Sequence, residues 1–190
     1  MTVEYRIMKI GDLDEKAYEK AYFLMSEDRK RKADSFRFED DRKRSVAADL
    51  LLRELASERL HKSPEDILIM NDRNGAPYIE GENVFVSISH SGEYAAAVIG
   101  DKRVGIDIEK IRKAEDAVIR RICNEKETAY IFDVTGSERD RRFIEVWTFK
   151  EAYYKYDNSI DDFTAIGLFE CDIRRKTMEI DGHIMTVVYE

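Results

Sequence analysis

The sequence predicts an α+β fold of two similar small lobes, each a short antiparallel sheet packed with helices. Three observations lead there. Helical and strand-like periodicities follow one another in the same order twice, helices then strands to about residue 102 and again from residue 103. Hydrophobic residues make up 43% of the 190-residue chain and prolines number only 2, a composition that supports a packed core and argues against disorder. No Pro/Gly/Ser-rich linker separates the halves. The expected lobes are therefore 1–102 and 103–190, related by a pseudo-twofold, with an acidic strand at their junction and the active site at the lobe interface.

Residues 3–10 read as the first strand. From about Asp14 to Lys32, Ala17, Ala21, Leu24 and Met25 recur at three- and four-residue spacing, the period of a single helix. A second helix is expected from Glu39 to His61, with Val46, Leu50, Leu51 and Leu55 in its apolar stripe and Asp40 or Asp41 as cap. Ser63-Pro64-Glu65-Asp66 starts a helix of about one turn. Strands follow at Ile67 to Met70, Pro77 to Ile79, Val84 to Ser89, Tyr94 to Ile99 and Arg103 to Glu109, punctuated by Asn74-Gly75 and Gly92. Two short helices are expected near 115–122 and 125–132, with Asn124 as the cap between them. A longer helix runs from Ser137 to Tyr156, opened by Ser137 and Asp140 as a capping pair. The chain closes in strands near 164–172, 176–180 and 183–189, the last two joined at Asp181-Gly182.

The net charge of −8 speaks against general nucleic-acid binding. Within it, Arg29-Lys30-Arg31-Lys32 and Arg42-Lys43-Arg44 are local basic clusters, sized for a phosphorylated ligand rather than a duplex. No run approaches the roughly 20 apolar residues of a membrane helix, and residues 1–10 lack the apolar core of a signal peptide. Cys123 and Cys171 show no metal-ligand spacing and read as reduced thiols of a cytoplasmic protein.

The chemistry concentrates in Val104-Gly105-Ile106-Asp107-Ile108-Glu109. On a strand, Asp107 and Glu109 project from one face, and two such carboxylates repel unless a cation lies between them. A third acid, Glu151, lies 44 residues after Asp107 on the predicted long helix, sharing a broad face with Trp147, Tyr154 and Lys155. The expected site is one Mg²⁺ held by Asp107, Glu109 and Glu151, with lysines beside it for a polyanionic substrate. Ser87-Ile88-Ser89-His90-Ser91-Gly92 is the other polar cluster and suits an oxyanion-binding turn. A Ser–His hydrolase fits poorly, because Ser89 and His90 face opposite sides of a strand and no G-x-S-x-G elbow exists.

These stretches together resemble the 4′-phosphopantetheinyl transferases of the Sfp type. That family carries a (V/I)-G-(I/V)-D segment continuing into an acid, then W-(S/T/C)-x-K-E-(A/S)-x-x-K about 40–45 residues later. Here the second signature is Trp147-Thr148-Phe149-Lys150-Glu151-Ala152-Tyr153-Tyr154-Lys155. The family's S-H-S-G segment matches Ser89 to Gly92, and its R-(S/T) pair matches Arg44-Ser45.

The resemblance implies transfer of phosphopantetheine from coenzyme A, as co-substrate, to a serine of an acyl or peptidyl carrier protein, leaving 3′,5′-ADP. It implies Mg²⁺ on Asp107, Glu109 and Glu151, Glu151 as base, and Lys150 and Lys155 on the phosphates. Ser89 and His90 would sit at the nucleotide, with Arg29, Lys32, Arg44 and Ser45 gripping the same end. Gly75-Ala76-Pro77 replaces the family's G-K-P, which removes one 3′-phosphate contact; either Arg73 compensates or coenzyme A binds more weakly. The sequence stops at Glu190, where the family usually continues through another strand. Residues 111–123 directly follow the acidic strand and are the candidate carrier-docking surface. A monomer is expected, with no nucleic-acid or membrane partner. The competing readings are a Mg²⁺-dependent nucleotide pyrophosphohydrolase and a non-catalytic coenzyme A-binding protein.

Overall fold

The computed structural model describes residues 3–190. They divide into two units, one ending at Val104 and the other running from Gly105 to Glu190.

In the first unit β5 (Tyr94–Gly100) is the centre of a three-stranded sheet, and every one of its residues is buried. Strands β1 (Val3–Lys9) and β4 (Phe85–Ser91) flank it, both antiparallel, in a register that sets Tyr5 and Ser87 on either side of Val98. The run Ala95-Ala96-Ala97 keeps this strand thin, and Ala95 and Ala97 share a core with α3 (Glu39–Leu60). That helix brings its own small residues, Ala47, Ala48 and Ala56, between Val46, Leu51, Leu52 and Leu55. Small side chains on both partners allow the helix to lie close to the sheet. A second, two-stranded sheet joins β2 (Ile69–Asn71) to β3 (Pro77–Ile79).

The helix expected over 14–32 is in fact two, α1 (Glu15–Leu24) and α2 (Glu27–Asp34). Met25 and Ser26 between them are extended, with ψ of 147° and 156°. Met25 turns into the core, 3% exposed, and Ser26 takes the extended conformation of a residue that opens a helix. Three buried charges secure the joint. Arg53 of α3 donates to the carbonyl oxygens of Leu24 (2.7 Å), Pro64 (2.8 Å) and Ile67, and pairs with Asp49 at 3.4 Å. Asp49, with no exposed surface, also takes the Nε–H of Arg29. One carboxylate thus holds α2 and α3 together through two arginines.

In the second unit the sheet order is β6-β8-β7, from β6 (Val104–Lys110), β7 (Arg174–Ile180) and β8 (His183–Tyr189). β7 and β8 form an antiparallel hairpin whose turn, Asp181-Gly182, has positive φ at both residues, 44° and 71°, matching the right-handed twist of the strands. Three helices intervene: α4 (Asp116–Ile122), α5 (Glu125–Phe132) and α6 (Gly136–Tyr156). Phe143, Ile144, Val146, Phe149 and Ala152 of α6 share a core with Ile184 and Val188 of β8. Thr148 reaches the buried hydroxyl of Thr186 at 3.0 Å, and Thr186 reaches Thr177 of β7 at 3.1 Å, so a chain of hydroxyls ties helix to sheet. Cys123, at the end of α4, is buried in this core, and burial pushes its thiol up to about 12, with the Glu127 charge adding to the rise.

Two expectations fail here. No strand forms over 164–172; a short 3-10 turn (Phe163–Ala165) and further turns stand there, because side chains of α5 and α6 take the hydrogen bonds a neighbouring strand would supply. The long helix starts at Gly136 behind Thr135, with no side-chain cap from Ser137. Among the described residues no helix is long and apolar enough to cross a membrane.

Asp49→Ala leaves Arg29 and Arg53 buried without their carboxylate, and burial already depresses the Arg53 guanidinium pKa. Urea unfolding should show a loss of about 3–5 kcal/mol. A loss below about 1 kcal/mol would mean that the carbonyl bonds of Arg53 suffice without the charge pair.

Candidate active site

The second unit's acidic strand lies against α6 at a distance that one residue controls. A Cβ built on Gly105 would meet the carbonyl oxygen of Ala152 and stand 2.8 Å from the backbone N of Tyr156. Both obstacles are helix backbone and cannot swing aside. Only glycine therefore lets β6 approach this turn of α6. Ile106 and Ile108, neither exposed, bury into the unit, while Asp107 and Glu109 occupy the alternate positions.

Approach at Gly105 brings the charged groups together. Lys155 Nζ lies 2.7 Å from Asp107 Oδ1 and 3.2 Å from the Ile106 carbonyl oxygen. Asp107 is 5% exposed. Glu109 has Arg112 at 3.6 Å on its outer side. One turn before Lys155, burial raises the Glu151 carboxyl above its usual range; Lys155 opposes the rise, and Asp107 and Glu109 add to it. Three carboxylates and one ammonium thus share one neighbourhood, with acid in excess.

That donor set suits a hard divalent cation. Mg²⁺ takes oxygen ligands, needs only one or two carboxylates from a protein, and leaves positions for phosphate. Among the described residues no three carboxylate, imidazole or thiolate groups already stand as a closed metal cluster. Lys155 fills part of the same space by binding Asp107. The residues fit Mg²⁺ by the chemistry of the donor set, three carboxylates of which Glu151 is lifted first by burial and then by its two acidic neighbours.

Lys150 lies apart from this group. It has no exposed surface, pairs with Glu127 at 3.0 Å and donates to the Ile166 carbonyl. The phosphate contact expected from its motif position meets a side chain turned into the core.

The first unit gathers some of its expected residues and separates others. Arg44, in the second turn of α3, donates at 2.5 Å to the Gly92 carbonyl and pairs with Asp41, so it holds the S-H-S-G turn against the helix. Ser45 follows it, 7% exposed. Ser89 is 8% exposed on β4, and the neighbouring His90 meets Phe36 edge-on at 6.3 Å. Lys32 is exposed on α2 and Arg73 on the turn between β2 and β3. Arg29 differs. At 3% exposure it is committed to Asp49 and, at 2.9 Å, to Asn71 Oδ1, which makes it scaffold rather than an open cation.

Sequence reasoning missed Glu127, a buried acid joined to Lys150, and the reason for Gly105. Asn124-x-x-Glu127 was a readable signal: its side chains and backbones form a reciprocal capping box, with both bonds at 2.9 Å. Nothing local to Gly105 names the backbone it must pass.

Two outcomes follow. Gly105→Ala forces β6 off α6, so circular dichroism should show a lower Tm, and a Tm equal to the parent's would refute the close approach. Because the Glu151 carboxyl is raised, the folded chain keeps a proton that the unfolded chain releases at lower pH. Stability of the metal-free protein therefore falls as pH rises from the ordinary carboxylate range through the raised value. Glu151→Gln removes that fall: in EDTA the variant should outlast the parent in urea at about pH 8 and match it below about pH 4. Parallel stability curves would show Glu151 to be an ordinary carboxylate.

A family model described as 4′-phosphopantetheinyl transferase superfamily matches residues 103–185, and one described as 4′-phosphopantetheinyl transferase, N-terminal, matches residues 14–101. The 4′-phosphopantetheinyl transferase psf-1 of Bacillus pumilus is 28% identical over 133 residues, 70% of this chain and 57% of that protein. The 4′-phosphopantetheinyl transferase gsp of Aneurinibacillus migulanus is 31% identical over 115 residues, 60% of this chain and 48% of that protein. The chain thus spans about half the length of these two relatives. The holo-[acyl-carrier-protein] synthase of Staphylococcus carnosus is 37% identical over 84 residues, 40% of this chain and 72% of that protein. The chain belongs to the 4′-phosphopantetheinyl transferase superfamily.

Proposed function

We propose that this protein transfers 4′-phosphopantetheine from coenzyme A to a serine of an apo acyl or peptidyl carrier protein, releasing 3′,5′-ADP. The observation that carries the reading is the close approach of β6 to α6 at Gly105, which sets Asp107 2.7 Å from Lys155 with a half-buried Glu151 one turn before that lysine. The relatives' names, phosphopantetheinyl transferases and a holo-[acyl-carrier-protein] synthase, support it.

In this reading Asp107, Glu109 and Glu151 hold the metal. When bound, Mg²⁺ supplies positive charge to the coenzyme A pyrophosphate and to the oxygen on which the leaving group departs. Glu151 is also the candidate base for the serine proton, directly or through a water. The serine oxygen bonds to the phosphorus that carries pantetheine, and the bridging oxygen leaves on 3′,5′-ADP. Lys155, held by Asp107 and the Ile106 carbonyl, is the cation set beside the phosphates. Lys32, Arg44, Ser45, Arg73, Ser89 and His90 receive the nucleotide end. Arg29 contributes by holding α2 in place. The protein acts as a monomer in the cytoplasm, where its two cysteines stay free.

The test is the intact mass of an apo acyl carrier protein, and of an apo peptidyl carrier protein, after incubation with this protein, coenzyme A and Mg²⁺. One added phosphopantetheinyl group is expected, absent with EDTA, and slowed about 10²–10⁴-fold by Glu151→Gln. Unmodified carriers with 3′,5′-ADP accumulating regardless would replace transfer with hydrolysis. Unmodified carriers with coenzyme A bound and intact would leave a binding protein.

A further inference from the structure

Lys150 sits next to the proposed base and is as inaccessible as any residue in the chain. An ammonium has three N–H donors. Here they meet the Glu127 carboxylate at 3.0 Å, the Ile166 carbonyl, and the Thr164 carbonyl at 3.4 Å. Nothing is left to give a phosphate. The Glu127 carboxylate is engaged in the same way: one oxygen accepts from the Leu168 backbone N–H at 2.8 Å, the other from Asn124 N and Lys150. Neither side chain has exposed surface.

The partners define a strap. Residues 163–168 lie along α6, and both ends of the strap are fixed to it or to α5. At one end the Phe163 ring stands between Trp147 (5.5 Å) and Tyr154 (6.2 Å) of α6. At the other end Leu168 N bonds to Glu127 of α5. Between them, Gly167 passes so close to Asn124 and Glu170 that a Cβ would lie 3.1 Å from Asn124 Nδ2. At about 100° per residue, Trp147, Lys150 and Tyr154 form one stripe of α6, and Glu151 and Lys155 form the next. The strap grips the first stripe; the second faces Asp107.

We propose that Lys150 is a positioning residue, which through Glu127 and the strap fixes the turn of α6 that carries Glu151 and Lys155. The inference rests on the transferase reading for its kinetic consequence and on geometry alone for the clamp. Glu127, for its part, is a structural anion, buried beneath the strap and closed to any substrate hydroxyl.

The experiment uses the full chain with Lys150→Met, Glu127→Gln and the double variant, and has two arms. In the first, amide hydrogen exchange is followed without ligand. Residues 163–168 should exchange about tenfold or more faster in each single variant, since the clamp's local opening becomes easier. Unchanged exchange would overturn the clamp in a protein that need not turn over. In the second arm, kcat per folded molecule should fall about 10–100-fold in each single variant, as when groups that orient catalytic residues are removed. KM for coenzyme A should stay within about twofold, because no phosphate contact is lost. The double variant should be no slower than the worse single one, since both act through one pair. A rise in KM for coenzyme A of about tenfold in Lys150→Met alone would make Lys150 a direct phosphate ligand and sink the proposal. A parent-like kcat in either single variant would sink it too. If Lys150→Met fails to fold, Glu127→Gln carries both arms, because glutamine keeps the α5 cap. Faster exchange in a protein that modifies no carrier would condemn the transferase reading while leaving the clamp intact.

Discussion

At Gly105 a strand and a helix come closer than any side chain permits, and the second unit's chemistry hangs on that approach. Moving β6 outward by the width of a methyl group would take Asp107 away from Lys155 and let water in beside Glu151. The Asp107–Lys155 pair and the raised Glu151 carboxyl, lifted by burial and then by two nearby acids, both follow from that closeness. A site that must hold three like charges together needs rigid backing. It has a fully buried apolar strand face on one side and a helix locked by hydroxyl bonds and a buried ion pair on the other.

The two units solve a shared problem with different groups. Each sets one long helix on a three-stranded sheet, and each anchors loops to that helix with buried charge. In the first, the guanidinium of Arg53 reaches three backbone carbonyls in separate segments, and Asp49 neutralises it together with Arg29. In the second, Lys150 and Glu127 do the equivalent for the strap over α6. Such pairs cost desolvation and add little net stability when intact, but losing one partner is severe. Their use here is to fix the path of irregular chain that no ladder of backbone bonds could hold.

Much of this was legible from residue order. Alternation exposed β6, and its Asp107/Glu109 pair was visible as two acids on one face. Asn124 and the 125–132 helix, the Asp181-Gly182 hairpin and the long α3 stripe all follow from local rules that the structure obeys. What was not legible depends on partners far away in the chain. Lys150 in a motif full of charge reads as a solvent-facing cation until Glu127, 23 positions earlier, and a carbonyl, 16 positions later, are brought to it. Arg29 belongs to a basic cluster by composition and to Asp49 by packing. The break at Met25 is invisible to periodicity, because the apolar spacing runs on while the backbone turns. The absent strand at 164–172 misleads for the same reason: its hydrogen-bond partners are side chains.

Cys123 lies beneath the clamp, and its thiol, pushed up to about 12, stays protonated at neutral pH. Thiolates, not thiols, attack disulfides. The proposed co-substrate ends in a sulfhydryl and in oxidising conditions becomes a disulfide of itself or of glutathione. A half-exposed, ionised cysteine in this core would capture such species and wedge the unit open. Held neutral, Cys123 is chemically deaf to the tail of that proposed co-substrate.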